Sequence, residues 1–400
     1  VSKPTLLYCV PYGDDTGAGV RGVAIANRLA SRFRIVMLIE GILPLDRAMT
    51  VSSEIELVQL PVLGVDRWRS DASVQWLRHS NDPAFSRGTI REVYSRLDPC
   101  LVVIENFPFV HSELGNALMS MIADSKSQGS VMPLVVSVTD AIAGGLRAEK
   151  SHDDKIAALL NERFDAVLVA SDTEFARLEE FFRPCVALTT PVYHTGFVPN
   201  DRQNMPSSEA RERRVLVSAG DGSRGGRLYR AAVEAHRPLW DVDKLEMTIV
   251  AGPSLPTDEW HDLVKAAQRL PGLALVRSVP DLGAELAKVR WAVCPADYNT
   301  ACDLIATNVL ALVVPGRGSD ATQQVDRARK LASEGFCRIL MAHHLNGASV
   351  ANAIHRLIRF EPARAHFDLD GAKKSANLIQ KLWISENVRS MLLIRSGHTS

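Results

Sequence analysis

A chain of 400 residues is too long for one compact core and suits two domains of ordinary size. Its 46 basic and 46 acidic residues cancel, so overall charge gives no drive toward nucleic acid. No apolar run approaches the roughly 20 residues that cross a bilayer. The first residues lack a basic stretch followed by an apolar core and a small-residue cleavage site, so a cytoplasmic protein is expected. The six cysteines (Cys9, Cys100, Cys185, Cys294, Cys302 and Cys337) form no CxxC pair and read as free thiols in a reducing compartment.

In chain order, Thr5 to Val10 is an apolar run, Gly13 to Gly19 a loop, Val20 to Arg32 an amphipathic helix and Ile35 to Ile39 a second buried strand. Leu101 to Ile104, Leu134 to Val138 and Ala166 to Val169 have the continuous apolar character of parallel strands covered on both faces. Helical patterns at Ser112 to Ala123 and Asp153 to Arg163 separate them. Asp66 to Arg87 fits neither period and reads as an irregular insert or a helix near a cleft. Its Trp68, Trp76, Arg67, Arg69 and Arg78 suit either a membrane surface or a helix with a solvated basic face.

From Val198 to Arg213 the composition turns polar, the best linker in the chain. A second series follows, with strands near 214–218, 247–251, 273–277, 290–294, 310–314 and 336–340, each before a helix-compatible stretch. Series of this kind fold as parallel sheets with right-handed crossovers, and ligands bind outside the carboxyl ends of their strands.

Two strand-to-helix turns in this half carry chemistry. After Arg214 to Ser218 comes the glycine-rich run Ala219-Gly220-Asp221-Gly222-Ser223-Arg224-Gly225-Gly226, which lets backbone N–H groups approach an anion. After Trp291 to Pro295 comes Ala296-Asp297-Tyr298-Asn299-Thr300-Ala301-Cys302-Asp303, where Asp303 can accept two ribose hydroxyls from the first helical turn. A glycine turn alone is also an ordinary tight turn, and Asp303 also complements a helix dipole that Thr300 would cap. Together, the two turns read as a nucleotide-sugar site.

The runs Val217 to Ser223, Tyr298 to Asp303 and Gln323-Gln324-Val325-Asp326-Arg327-Ala328 resemble the donor half of the inverting family-28 glycosyltransferases. The likeness spans most of the chain and is specific only in its C-terminal half. It implies an α/β chain of the GT-B class, two Rossmann-like domains with parallel sheets facing a cleft. Implied bounds are 1–198 for acceptor binding, 199–213 for the linker and 214–365 for the donor. A helical tail over 366–400 follows, with packing back on the first domain as one option. Carried over by position, Gly220, Gly222, Ser223 and Arg224 meet the donor phosphates. Val279 reads the base through its backbone, Asp303 meets the ribose with Asn299 and Thr300 also on the donor, and Gln323 and Gln324 meet sugar hydroxyls; an exposed helix face accepts glutamine equally well.

Departures bear on the chemistry. Asp221 and Asp297 stand where the family has glycine, beside the expected diphosphate; the choices are outward pointing, compensation by Arg224 and Arg277, a donor that sits differently, or a divalent ion. Asn308 and Leu310 replace a glycine-then-proline step. In the acceptor loop, Gly17-Ala18-Gly19-Val20 puts valine where relatives carry the histidine base. A base must then come from another group within hydrogen-bond reach of the acceptor. Asp14 is the first choice, Glu105 the second and Asp140 the third, all at ends of expected strands, with His111 and His194 as structural or cleft-lining residues. The resulting expectation is an inverting transferase that needs no metal or other cofactor. Its partners would be a UDP-sugar donor and a glycan, lipid-linked or small-molecule acceptor, with no nucleic acid; contact at the inner face of a membrane stays open. A hydrolase or epimerase on the same scaffold and a catalytically silent binding protein are the alternatives.

Overall fold

The computed structural model describes residues 3–11, 17–41, 50–60, 83–127, 132–142, 150–199, 211–317, 321–360 and 366–396. It divides into two compact units: one runs to Val198 and resumes at Asp368, and the other spans Pro199–Phe367. The linker core and the Trp68–Trp76 segment lie outside the described residues.

The first unit comprises β1 (Thr5–Val10), α1 (Gly17–Leu29), β2 (Arg34–Glu40), β3 (Ile55–Leu60), α2 (Pro83–Leu97), β4 (Leu101–Glu105), α3 (Glu113–Ser127), β5 (Leu134–Thr139), α4 (Lys150–Arg163), β6 (Ala166–Val169), α5 (Leu178–Phe181) and β7 (Val192–His194). Its seven strands are parallel in the order β3-β2-β1-β4-β5-β6-β7. The strands β1, β4, β5 and β6 are buried along nearly their whole length, because both sheet faces are covered. The sequence pattern places Gly17 and Gly19 in a loop; here they form the first turn of α1, buried with Ala18 and Val20. Further along the helix, a Cβ at Gly22 would stand 3.0 Å from the Tyr8 ring of β1, so a small residue lets α1 pack closely on the sheet there. Two edge strands, β3 and β7, add to the expected set.

The second unit comprises β8 (Glu212–Ser218), α6 (Gly226–Asp243), β9 (Glu246–Val250), α7 (Thr257–Ala267), β10 (Leu273–Val276), α8 (Leu282–Lys288), β11 (Val289–Cys294), α9 (Tyr298–Thr307), β12 (Leu310–Val313), α10 (Ala321–Ser333), β13 (Cys337–Ile339) and α11 (Gly347–Ile358). The six parallel strands take the order β10-β9-β8-β11-β12-β13. On one face Val215, Val217, Met247, Ile249, Val293 and Leu312 form a core with Tyr229 and Leu239 of α6, Leu263 of α7 and Ile354 of α11. Side chains alternate along a strand, so Leu216 and Ser218 face the other way, toward the side where α8 packs on β8, β11 and α9.

The chain ends in α12 (Gly371–Ser396), which belongs to the first unit and packs on α1. Trp383 meets Phe33 edge-on at 5.4 Å, and Ser375 Oγ donates to Thr195 Oγ1 at 2.9 Å. Among the described residues, no helix is long and apolar enough to cross a membrane.

Candidate functional site

Both sheets reverse their winding beside their first strand: between β8 and β11 in the second unit, between β1 and β4 in the first. Crossovers diverge there, leaving a crevice at the carboxyl ends, the usual ligand position in open α/β sheets.

In the second unit the glycine-rich turn follows β8 at that point. Gly220 and Gly222 take positive φ (65° and 89°), and a Cβ at Gly222 would lie 1.9 Å from the Ala251 carbonyl oxygen. Gly225 instead caps α6 in a right-handed conformation, where a Cβ would run into the Tyr229 ring. The Tyr229 hydroxyl accepts from Ala219 N at 3.1 Å and donates to Ala251 O at 2.7 Å, pinning the turn to the end of β9. Burial holds this phenol well above its ordinary pKa, so it stays a donor.

The two acidic departures have defined partners. Asp221 Oδ1 accepts from Ser223 N at 3.0 Å and Ser223 Oγ at 2.8 Å. Asp297 is the N-cap of α9: Oδ1 accepts from Thr300 N at 2.9 Å and Oδ2 from Thr300 Oγ1 at 2.7 Å. Neither carboxylate takes Arg277, whose Nη2 donates to Pro253 O and Leu255 O while its guanidinium lies over the Trp260 ring.

Asn299, Thr300 and Asp303 are buried in the first turns of α9. Gln324 is placed as a brace: its Oε1 accepts from Gly316 N at 2.7 Å and Ala296 N at 3.4 Å. Arg327, one turn on, donates to Ala296 O at 2.7 Å. Together these α10 side chains hold the turns after β11 and β12. Gln323 is half-buried beside Gln324, and exposed Arg224 follows exposed Ser223 in the glycine turn. Val279 lies beyond β10, two strands from β8. The structure thus gathers Gly220 to Arg224, Asn299 to Asp303 and Gln323–Gln324 on adjacent turns.

In the first unit the crevice holds a buried ion pair. Glu105, the last residue of β4, accepts through Oε2 from Arg21 Nε at 2.9 Å and Nη2 at 2.5 Å, and through Oε1 from Tyr8 Oη at 2.8 Å. Arg21 Nη2 also donates to Asn106 Oδ1 at 2.9 Å. Arg21 is 1% exposed and Glu105 0%. Burial raises the Glu105 pKa, against the lowering effect of Arg21 and Tyr8. Asp140, at the end of β5, is buried and accepts from Ile142 N at 2.5 Å. Asp14 lies outside the described residues. Gly17 and Gly19 sit in the first turn of α1, the helix that carries Arg21, and His194 ends β7 with burial lowering its pKa. The Asp153–Asp154 pair of α4 is spent on backbone: Asp153 accepts from Arg183 N, Asp154 from Cys185 N and Val186 N. Among the described residues no group of three or more His, Cys, Asp or Glu side chains could hold a metal.

Sequence reasoning does not single out Ser218, Tyr229, Arg21 or Tyr8, and gives Arg327 no role of its own. Ser218 does carry a signal, as the one polar residue closing an apolar strand.

No protein-family model and no curated protein matches the sequence. Solved structures do. MurG of Acinetobacter baumannii is similar at a TM-score of 0.59 and 15% identity, over 94% of this chain and 100% of that one. CalG4, the calicheamicin glycosyltransferase, is similar at 0.55 and 16%, over the whole of both chains. A UDP-glucosyltransferase from Polygonum tinctorium is similar at 0.57 and 14%, over 96% of this chain and 94% of that one. At such identities the likeness establishes architecture: the chain has the GT-B fold, as its motifs lead one to expect.

Proposed function

We propose that this protein is an inverting glycosyltransferase that moves a sugar from a nucleoside diphosphate, most simply UDP, to an acceptor hydroxyl on a glycan, glycolipid or small molecule. The observation that carries the reading is the β8–β11 crevice. There a glycine turn and the amino end of α9 converge, with Asp303 buried one turn into the helix. Turn amides and a helix N-terminus favour an anion, and a carboxylate one turn on suits vicinal hydroxyls of a ribose.

In such a transfer the acceptor oxygen bonds to the anomeric carbon as the bond from that carbon to the diphosphate oxygen breaks, inverting the centre. A base takes the acceptor proton, and donors around the glycine turn stabilise the negative leaving group. Asp14 is the proposed base. Glu105 is a poorer candidate than its position in the chain suggests, since a base must reach substrate and this carboxylate is fully buried on Arg21 and Tyr8. The chemistry as proposed needs no metal, and the acceptor falls to the first unit.

One observation favours a second reading, a nucleotide-sugar-binding protein without turnover: the family's histidine is Val20, and the nearest carboxylate at the end of β4 is bound up in an ion pair. A thermal-shift screen of nucleoside diphosphates and nucleotide sugars tests the main reading, because a ligand that binds only the folded state raises its stability. UDP and a UDP-sugar should raise the melting temperature, and turnover of that sugar with an acceptor should follow. No shift with any nucleotide would reject both readings; binding without turnover would select the second.

A further inference from the structure

Two residues whose donors would ordinarily meet a phosphate in the second unit are held by the chain itself. Ser223 gives both its amide and its hydroxyl to Asp221, and Thr300 gives both to Asp297. Each aspartate thus sets a carboxylate where the glycine turn or the amino end of α9 would otherwise meet a ligand anion.

Two other polar side chains at the same crevice are in the opposite state. Ser218 Oγ and Asn299 Nδ2 are buried and have no hydrogen-bond partner among the described residues. Ser218 is 2% exposed and Asn299 6%. Buried polar groups are nearly always paired, and an orphan in a native structure calls for an explanation such as an absent ligand. Ser218 closes β8, and β11, its neighbour in the sheet, leads within a few residues to Asn299 in the first turn of α9. Both orphans therefore stand where the crossovers diverge, and both can donate.

Resting on the nucleotide-sugar reading, we propose that Ser218 and Asn299 are the direct donors to the phosphates of a nucleoside diphosphate, and that Asp221 and Asp297 act as built-in competing anions. The aspartates keep the glycine turn and the α9 cap formed without ligand. Their charge opposes the incoming diphosphate, and Ser218 and Asn299 supply donors that the aspartates do not hold.

Calorimetric titration of UDP and of inorganic diphosphate into the full chain tests this, with thermal unfolding confirming that each variant is folded. Ser218→Ala and Asn299→Leu should each weaken both ligands by roughly tenfold, the loss of one hydrogen bond to a charged group. Asn keeps an acceptor oxygen for the turn and the cap while removing the charge. The double variant Asp221→Asn/Asp297→Asn should therefore bind both ligands more tightly, by about tenfold. Wild-type UDP binding that ignores all four substitutions would overturn this inference and leave the nucleotide-sugar reading standing. Weaker binding in the double variant would overturn it too, making the carboxylates part of the ligand's own grip. No binding of UDP or diphosphate by either wild type or the double variant would overturn both.

Discussion

Glu105→Leu separates a structural role from a catalytic one at the end of β4. The substitution removes the acceptor of two Arg21 N–H groups and of the Tyr8 hydroxyl, while the guanidinium stays 1% exposed. Stranding one partner of a buried pair costs about 3–5 kcal/mol, and an orphaned buried hydroxyl costs roughly 1–3 kcal/mol more. Arg21→Met in the same background removes the stranded charge. A buried pair replaced by apolar residues of similar volume is often close to neutral. The double variant should therefore recover most of the loss, leaving a net cost of about 1–3 kcal/mol from Tyr8 and Asn106. Urea unfolding of wild type, both single variants and the double closes the cycle, and hydrogen exchange of β1, α1 and β4 peptides assigns the transition to the first unit. Glu105→Leu within about 1 kcal/mol of wild type would refute the reasoning, since surface substitutions alone stay in that range. If the double variant is stable and still transfers sugar, Glu105 is not the base.

Three further outcomes are expected. Asp14→Asn should keep UDP affinity and lower kcat by about 10²–10⁴-fold; steady-state kinetics with normal turnover would move the role to Asp140 or Glu105. Tyr229→Phe should cost roughly 1–3 kcal/mol, because Ala219 N and Ala251 O both lose their buried partner; unchanged chemical denaturation would show the phenol to be dispensable. Burial lowers the His194 pKa in the folded chain, so below the ordinary histidine value the unfolded chain takes up a proton that the folded chain resists. That contribution is fully present above about pH 6.5 and is lost as pH falls through the lower folded value. His194→Gln should flatten the fall in melting temperature between neutral and mildly acid pH, and an identical slope in the variant would contradict it.

The two parallel series are legible in the sequence because their central strands are continuous apolar runs between glycine and polar turns. The edge strands of the first sheet are not: β3 exposes Glu56 and Leu57 in succession and half-buries Val58, and β7 is only Val192–His194. A strand covered on fewer sides needs fewer apolar residues, so its pattern fades. At the site, the glycine turn and Asp303 can be read directly, but the cap of α9 is Asp297 and not the Thr300 that the sequence offers, because the helix begins at Tyr298. What the sequence hides is pairing at a distance. Glu105 meets Arg21 across 84 positions and Tyr8 across 97. The topological position that suggests a base at Glu105 cannot reveal the arginine that takes its charge. Gln324 is likewise readable as a first-turn amide, but its hold on Gly316 depends on where β12 delivers that glycine.

The central claim is that the β8–β11 crevice binds a nucleoside diphosphate with Asp303 on its ribose. Calorimetric titration of UDP into wild type and Asp303→Ala addresses it most directly. Wild type should show saturable one-to-one binding. In the folded variant the affinity should drop by about 10–100-fold, the worth of a charge-assisted hydrogen bond of roughly 1.5–3 kcal/mol. Equal affinity in the folded variant would remove Asp303 from the site, and absence of heat with wild type at saturating UDP would contradict the claim itself.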